Sequence, residues 1–222
     1  MKTVKFLFVL LFILSTPLQL FGRVTESAEN LLHVIHRVNR HWQENNSPQV
    51  RSFWDNAAYH TGNMEVYELT GNTAYLKYST DWAEYNHWKG AASDNKAEWR
   101  YGYGETPQYV LFGDWQCCFQ TYADLYGIRG DDRKIARARE VMEYQMGTDK
   151  NDYWWWADGL YMVMPVMTKL HRITKNPLYL EKLYEYFSYA DSVMYDPEVG
   201  LYYRDGSFVY PKHSILGGTK DF

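Results

Sequence analysis

The chain carries one unit three times over. FWDNAAYHTGNMEVYELTGNTAYLKYSTDWAEY begins at Phe53, FGDWQCCFQTYADLYGIRGDDRKIARAREVMEY at Phe112, and WADGLYMVMPVMTKLHRITKNPLYLEKLYEYFSYA at Trp156. Each copy has an acid near its start, Asp55, Asp114 or Asp158, and an apolar residue, Leu69, Ile128 or Ile173, 14, 14 and 15 positions later. A turn of the form TGN, RGD or TKN follows. A second apolar residue, Leu76, Ile135 or Leu180, then stands 7 beyond the first in every copy. Such self-similarity restricts the fold more than composition does, because each unit must bury its apolar face against its neighbours.

Each unit predicts a helical hairpin. In the second helix of the third copy, Leu180, Leu183, Tyr184 and Phe187 fall on one face and Glu181, Lys182, Glu185 and Ser188 on the other, so one side meets water. The first helix of that copy has Leu160, Tyr161, Met162, Val163, Met164, Val166 and Met167 around its circumference, which predicts an enclosed helix. Pro165 is expected to kink it by removing a backbone donor. Enclosed helices alternating with half-exposed ones describe two layers, the arrangement of a solenoid or of an all-α, α/α toroid.

Spacing separates the two. The second anchors lie 59 and then 45 residues apart, whereas a tetratricopeptide array repeats at about 34. A regular solenoid is disfavoured, and the toroid is the expected class. The surplus residues fall in the connections 89–111 and 147–155, so the starts of the inner helices, with Asp55, Asp114 and Asp158, should share a rim with the longest loops, where function concentrates. With a leading helix around Ala28 to Trp42 the sequence accounts for about three and a half hairpins, and part of a larger barrel is expected. GLYYRDGSFVYPKH predicts a short strand pair turning at Asp205 and Gly206.

Residues 1–22 differ in character. Lys2 and Lys5 precede the nine-residue apolar run FLFVLLFIL, too short to span a bilayer and suited to a secretory signal. Export to the periplasm or the extracellular space is expected, leaving residues 23–222 as a partial α/α-barrel catalytic domain that is soluble once the signal is removed. Loss of the two lysines takes the formal charge from −4 to −6, which argues against a broad nucleic-acid surface. The only cysteines, Cys117 and Cys118, are adjacent and expected to be buried on a helix rather than to form a disulfide framework. The seven histidines show no ligand grouping, so neither a metal nor another cofactor is expected. Aromatic residues make up 18% of the chain, an excess that suits packing between helices or the walls of a cleft for a ring-shaped ligand.

An Asp at a helix start has an ordinary role as a cap or as a complement to the helix dipole. That reading is favoured for Asp55. For Asp114 and Asp158 the structural and the chemical readings both stand, because Trp115, Trp154, Trp155 and Trp156 would build apolar walls that raise a carboxyl's pKa while a helix N-terminus lowers it. Two acids in opposed environments suit general acid and base work on sugars.

The strings GDWQCCFQTYADLY and DYWWWADGLYMVMPVMTKLHRITKNPLYL, with WDNAAYHTGNMEVYELTGNTAYL before them, resemble the unsaturated glucuronyl and rhamnogalacturonyl hydrolases of glycoside hydrolase families 88 and 105, the latter more strongly. The resemblance implies a toroid of six helical hairpins, Asp158 as general acid/base and Asp114 as the second acid. It implies as substrate a lyase-generated oligosaccharide, rhamnogalacturonan- or pectin-derived, that ends in an unsaturated uronic acid, whose C4=C5 enol ether is hydrated with no attack at the anomeric carbon. Trp115, Trp154, Trp155 and Trp156, with Tyr59 and His60, are candidates for sugar contact, and Arg204, Lys212 and His213 for the uronate carboxylate. Family members continue where this sequence ends at GGTKDF, and where some carry a histidine it has YYRDG. Another α/α-toroid enzyme (an inverting glycosidase, a lyase or an epimerase) and a non-catalytic helical-repeat binding module are the competing readings.

Overall fold

In the computed structural model, which describes residues 28–198 and 200–206, the chain divides into the units Met1–Ser47 and Pro48–Phe222. The first contributes helix α1 over residues 28–45. It ends where the amides of Asn45 and Asn46 fold back onto the carbonyls of His41 and Trp42, at 2.7 and 2.8 Å, and so supply partners that a helix terminus otherwise lacks. The expected signal segment, Lys212, His213 and the second arm of the expected strand pair lie outside the described residues.

The second unit holds the repeats as three hairpins. They are α2 (Trp54–Thr70) with α3 (Thr73–Tyr85), α4 (Gly113–Gln116) and α5 (Cys118–Ile128) with α6 (Arg133–Met146), and α7 (Ala157–Thr174) with α8 (Leu178–Met194). One device starts the second helix each time. Asn72, Asp131 and Asn176 each accept a hydrogen bond from the backbone N–H two residues on, of Ala74, Arg133 and Leu178, at 3.0, 3.1 and 3.0 Å. The preceding helix is closed by a left-handed residue in the first and third copies, Gly71 at φ 67° and Lys175 at φ 60°. Thus TGN, RGD and TKN are one turn chemistry written three ways.

Helices α2, α5 and α7 pack side by side, with α3, α6 and α8 as their outer partners. These are the two layers of an all-α toroid. The enclosed inner helix is α5, in which every residue from Cys118 to Ala123 is buried, because it has an inner neighbour on each side. In α7 the expectation of full enclosure fails: Tyr161 is 52% exposed and Thr168 is also exposed.

The apolar stripe expected of α8 is half met, since Leu183 and Phe187 pack against the core. In α8 the buried stripe is Tyr179, Tyr186, Ala190, Val193 and Met194, while Leu180 and Tyr184 are exposed. Tyrosine wins those inner positions because its hydroxyl finds partners there, Tyr186 with the Gln145 carbonyl at 3.1 Å and Tyr179 with Glu143 at 3.2 Å. Of the six repeat anchors only Ile135 is fully buried, since the others flank solvent-facing turns. The first arm of the expected strand pair is a strand, but among the described residues it pairs with the segment before it. β1 (Tyr195–Asp196) pairs antiparallel with β2 (Leu201–Tyr202), and Gly200 at φ 71° closes the turn by donating its N–H to the Asp196 carbonyl at 2.8 Å. Asp205 instead bridges to Trp156.

Both long connections are fastened to the hairpins. Arg137 of α6, 5% exposed, donates to the carbonyls of Ala91 and Ser93, pairs with Asp94 and Glu140, and lies 4.9 Å from the centre of the Trp99 ring. Cys117 and Cys118 are free and buried, as expected.

Helix α7 runs unbroken through Pro165, which leaves the Tyr161 carbonyl without its helical donor. Gln120 of α5 fills the gap: its amide donates to the carbonyls of Tyr161 at 2.8 Å and Met162 at 3.0 Å. A defect of one inner helix is therefore repaired by the next. Gln120→Leu should lower stability by about 1–3 kcal/mol, measured by urea denaturation. In a Pro165→Ala background, where the restored N–H serves the Tyr161 carbonyl, that penalty should shrink.

Candidate active site

The inner helices begin alike. Phe53, Phe112 and Trp156 are their N-cap residues, all in extended backbone and none capping through its side chain. Asp55, Asp114 and Asp158 each stand second in the helix that follows. The fates of the three carboxylates differ. Asp55 is exposed, accepts from the backbone and side-chain amides of Asn56 at 2.9 and 3.1 Å, and lies 3.6 Å from Arg51. It has the structural role expected, as an ion-paired acid of the first turn that complements the helix dipole without capping it.

Asp114 and Asp158 make no hydrogen bond and no ion pair among the described residues. Both line a single cavity of about 600 Å³. Its inner wall is aromatic, formed by Phe112, Trp155 and Trp156, with Cys117 and Met162 beside them. Trp156 reaches this wall across Gly113, where a Cβ would stand 2.9 Å from its ring. The mouth is framed by Trp54, Tyr103 and Tyr161, which are 45%, 69% and 52% exposed.

The two acids occupy different settings. Asp158 is exposed, at the open end of α7. Asp114 is 6% exposed, and its pKa is pushed up from 3.8 to about 7, first by burial and then by the negative charge of Asp158, with smaller contributions from Glu105 and Asp55. Asp114 thus retains its proton into the neutral range, far above an ordinary carboxyl.

Arg204 also lines the cavity. The backbone delivers it there: the Ala157 N–H donates to the Arg204 carbonyl at 2.7 Å, and Asp205 forms a bridge with Trp156. Asp205 is fully buried and accepts a hydrogen bond from the Arg204 guanidinium, whose side chain is 61% exposed. A cation is therefore fixed to the same short segment that starts α7 and carries Asp158.

Trp155, Trp156 and Arg204 join the two acids as the sequence suggested, whereas four other candidates are placed away from the cavity lining. Trp115 packs against Phe53 at 4.7 Å and donates its indole N–H to the Gly104 carbonyl at 3.2 Å. Trp154 is buried edge-on against Tyr186 at 5.3 Å. His60 stacks on Trp82 at 3.9 Å and bonds Ser79 at 3.0 Å, and burial lowers its pKa to about 3. Tyr59 lies edge-on to His60 and Tyr78. For Tyr59 and His60 the cause is helical phase: α2 reaches the cavity through Trp54 and Ala58, one turn apart, and residues 59 and 60 are rotated away. Sequence reasoning missed Trp54, Tyr103 and Tyr161. Tyr161 could have been found, since it stands one turn after Asp158 on the same face; Tyr103 lies in a loop without periodicity.

No three His, Cys, Asp or Glu side chains come together as a metal-ligand set among the described residues, nor is any helix there long and apolar enough to cross a membrane.

Asp114 binds its proton more tightly in the folded chain than in the unfolded one. Its contribution to stability therefore falls as pH rises from 3.8 to about 7. Asp114→Asn should raise stability at pH 8 by about 2 kcal/mol and have little effect at pH 3.5, in urea denaturation at both values. His60 has the opposite sign: neutral in the fold, it costs stability as pH falls from 6.5 toward 3.

The family model described as Glycosyl Hydrolase Family 88 matches residues 28–222. An unsaturated 3S-rhamnoglycuronyl hydrolase from Formosa agariphila is 26% identical over 165 residues, 71% of this chain and 41% of that protein. A solved glycosyl hydrolase family 88 structure from Bacteroides vulgatus superposes with a TM-score of 0.81 at 69% identity, covering 87% of this chain and 56% of the other. A second structure, described as a polysaccharide lyase, gives a TM-score of 0.81 at 68% identity over 88% of this chain and 55% of its own. The chain thus spans about half the length of the proteins it matches. With the toroid layers and the paired acids in place, the match across nearly all of its length makes this chain a member of glycoside hydrolase family 88.

Proposed function

We propose that the chain is the part of a glycoside hydrolase that removes a 4,5-unsaturated uronic acid from the non-reducing end of lyase-generated oligosaccharides. One observation carries the reading: two carboxyls, one buried and one exposed, face one aromatic-walled cavity with neither engaged in a cap or an ion pair among the described residues. Asp158 acts as general acid/base. It passes a proton to C4, and the positive charge that develops at C5 and the ring oxygen is met by the remaining negative charge of the pair. Water adds at C5 and returns a proton to Asp158. The resulting hemiketal opens, leaving C1 as a hemiacetal that expels the second sugar. One water is consumed and the carboxyls end as they began.

Exposure suits Asp158 to this double duty, because the water must reach it. Burial suits Asp114 to keep a proton into the neutral range and to hold a substrate hydroxyl. Arg204 pairs with the uronate carboxylate, and Trp155 and Trp156 wall the ring. The motifs quoted above support a family 105-like, rhamnogalacturonan or pectin-derived substrate, and the curated relative is named for a rhamnoglycuronyl one. The apolar run of residues 6–14 supports export.

The neighbour described as a polysaccharide lyase favours a second reading. The two reactions have opposite spectroscopic signs. A hydrolase bleaches the conjugated enol absorbance of a lyase-treated rhamnogalacturonan fragment; a lyase creates that absorbance from intact polymer. Bleaching is expected, with Asp158→Asn and Asp114→Asn each reducing its rate by about 100-fold or more. Absorbance that grows on intact polymer would establish the lyase instead.

A further inference from the structure

The cavity has two zones. Around Asp114 the rings are buried; at the mouth they are exposed, and the most exposed of them, Tyr103 at 69%, projects from a loop. A bare aromatic ring on a loose loop would mean little. This loop is held on both sides of the ring. Before it, Tyr101 packs against Tyr153 at 5.1 Å and donates to Asp152 at 3.2 Å. After it, the Gly104 carbonyl accepts from Trp115, and a Cβ at Gly104 would stand 2.1 Å from the Tyr109 ring, so the backbone lies flat on that ring. Glu105 is then ion-paired with Arg51, which precedes α2. The base of the loop is closed by Arg100, whose N–H and carbonyl bond Gln108 and Leu111 at 2.9 and 3.0 Å.

Between these anchors Tyr103 meets Phe112 edge-on at 5.8 Å, and its hydroxyl bonds Glu105 at 3.4 Å. One edge is thus supported from inside the cavity while much of the ring stays open. A rigid aromatic surface with a polar tip presents area to a sugar at little entropic cost. The zone walled by Phe112, Trp155 and Trp156, onto which Asp114, Asp158 and Arg204 open, accounts for the unsaturated ring, and a cavity of about 600 Å³ has room beyond it.

We infer that Tyr103 determines specificity for the sugar on the leaving side of the scissile bond, with the Arg51–Glu105 pair as the latch that positions its loop. This rests on the function proposed above. It is tested with two substrates, an unsaturated uronyl disaccharide and a methyl glycoside of the same unsaturated uronic acid, which has no second sugar. Tyr103→Ala should lower the ratio of kcat/KM for the disaccharide to that for the methyl glycoside by about 5- to 10-fold, mainly through KM. Tyr103→Phe should keep the ratio within about twofold, and Arg51→Met should move it in the direction of Tyr103→Ala. Equal losses on both substrates, or an unchanged ratio, would overturn the assignment. If the unaltered chain turns over neither substrate, the hydrolase reading fails separately. Disaccharide binding, followed by tryptophan fluorescence, then decides the inference: weaker binding by Tyr103→Ala supports it, and equal binding refutes it.

Discussion

Two carboxyl groups that face one cavity, with no counter-charge bound to either among the described residues, are the constraint from which the rest of the site follows. In water such a pair would ionise independently. Here Asp114 is buried, and the charge of Asp158 adds to the cost of its ionisation, so its affinity for a proton rises toward neutrality. The fold keeps them together by repetition. Asp114 and Asp158 hold the same position in successive inner helices, and α5 and α7 pack side by side. A charged residue at the second position of a helix is favoured by the dipole, and the repeat converts that local preference into a juxtaposition.

The supporting structure treats its other charges differently. Asp55, the equivalent residue of the first hairpin, is neutralised by Arg51 and Asn56; Asp124 is paired with Lys169 at 2.7 Å; Arg137 is surrounded by carbonyls and carboxylates. Against those paired groups Asp114, buried and without a partner among the described residues, stands apart, and buried unpaired charge destabilises a fold. Exceptions of this kind concentrate where chemistry is done. Gln120 shows the opposite policy, because a backbone defect at Pro165 that serves no reaction is repaired.

Much of this was legible in the sequence, for stated reasons. The spacing of acid, turn and anchor revealed three hairpins because turn chemistry is local: an Asn or Asp that caps the following helix writes itself into three residues. The uneven distance between copies located the long loops and hence the rim. What could not be read was rotation about each helix axis. Hydrophobicity alone placed Leu180 and Tyr184 inside α8, yet Tyr179 and Tyr186 take those positions through hydrogen bonds to residues 143 and 145 of α6, more than thirty residues away in the chain. The same limit put His60 in the site; Trp154 and Tyr103 lie in loops without periodicity, where place depends on distant contacts, with Tyr186 for the one and through the Arg51–Glu105 pair for the other.

The coupling of the two acids is the central claim, and its most direct measure is a carbon-13 NMR titration of the Asp114 carboxyl in the unaltered chain and in Asp158→Asn. The account predicts an apparent pKa near 7, moving down when the neighbouring charge is removed. An Asp114 that titrates in the ordinary carboxyl range, and does not respond to the change at position 158, would contradict it.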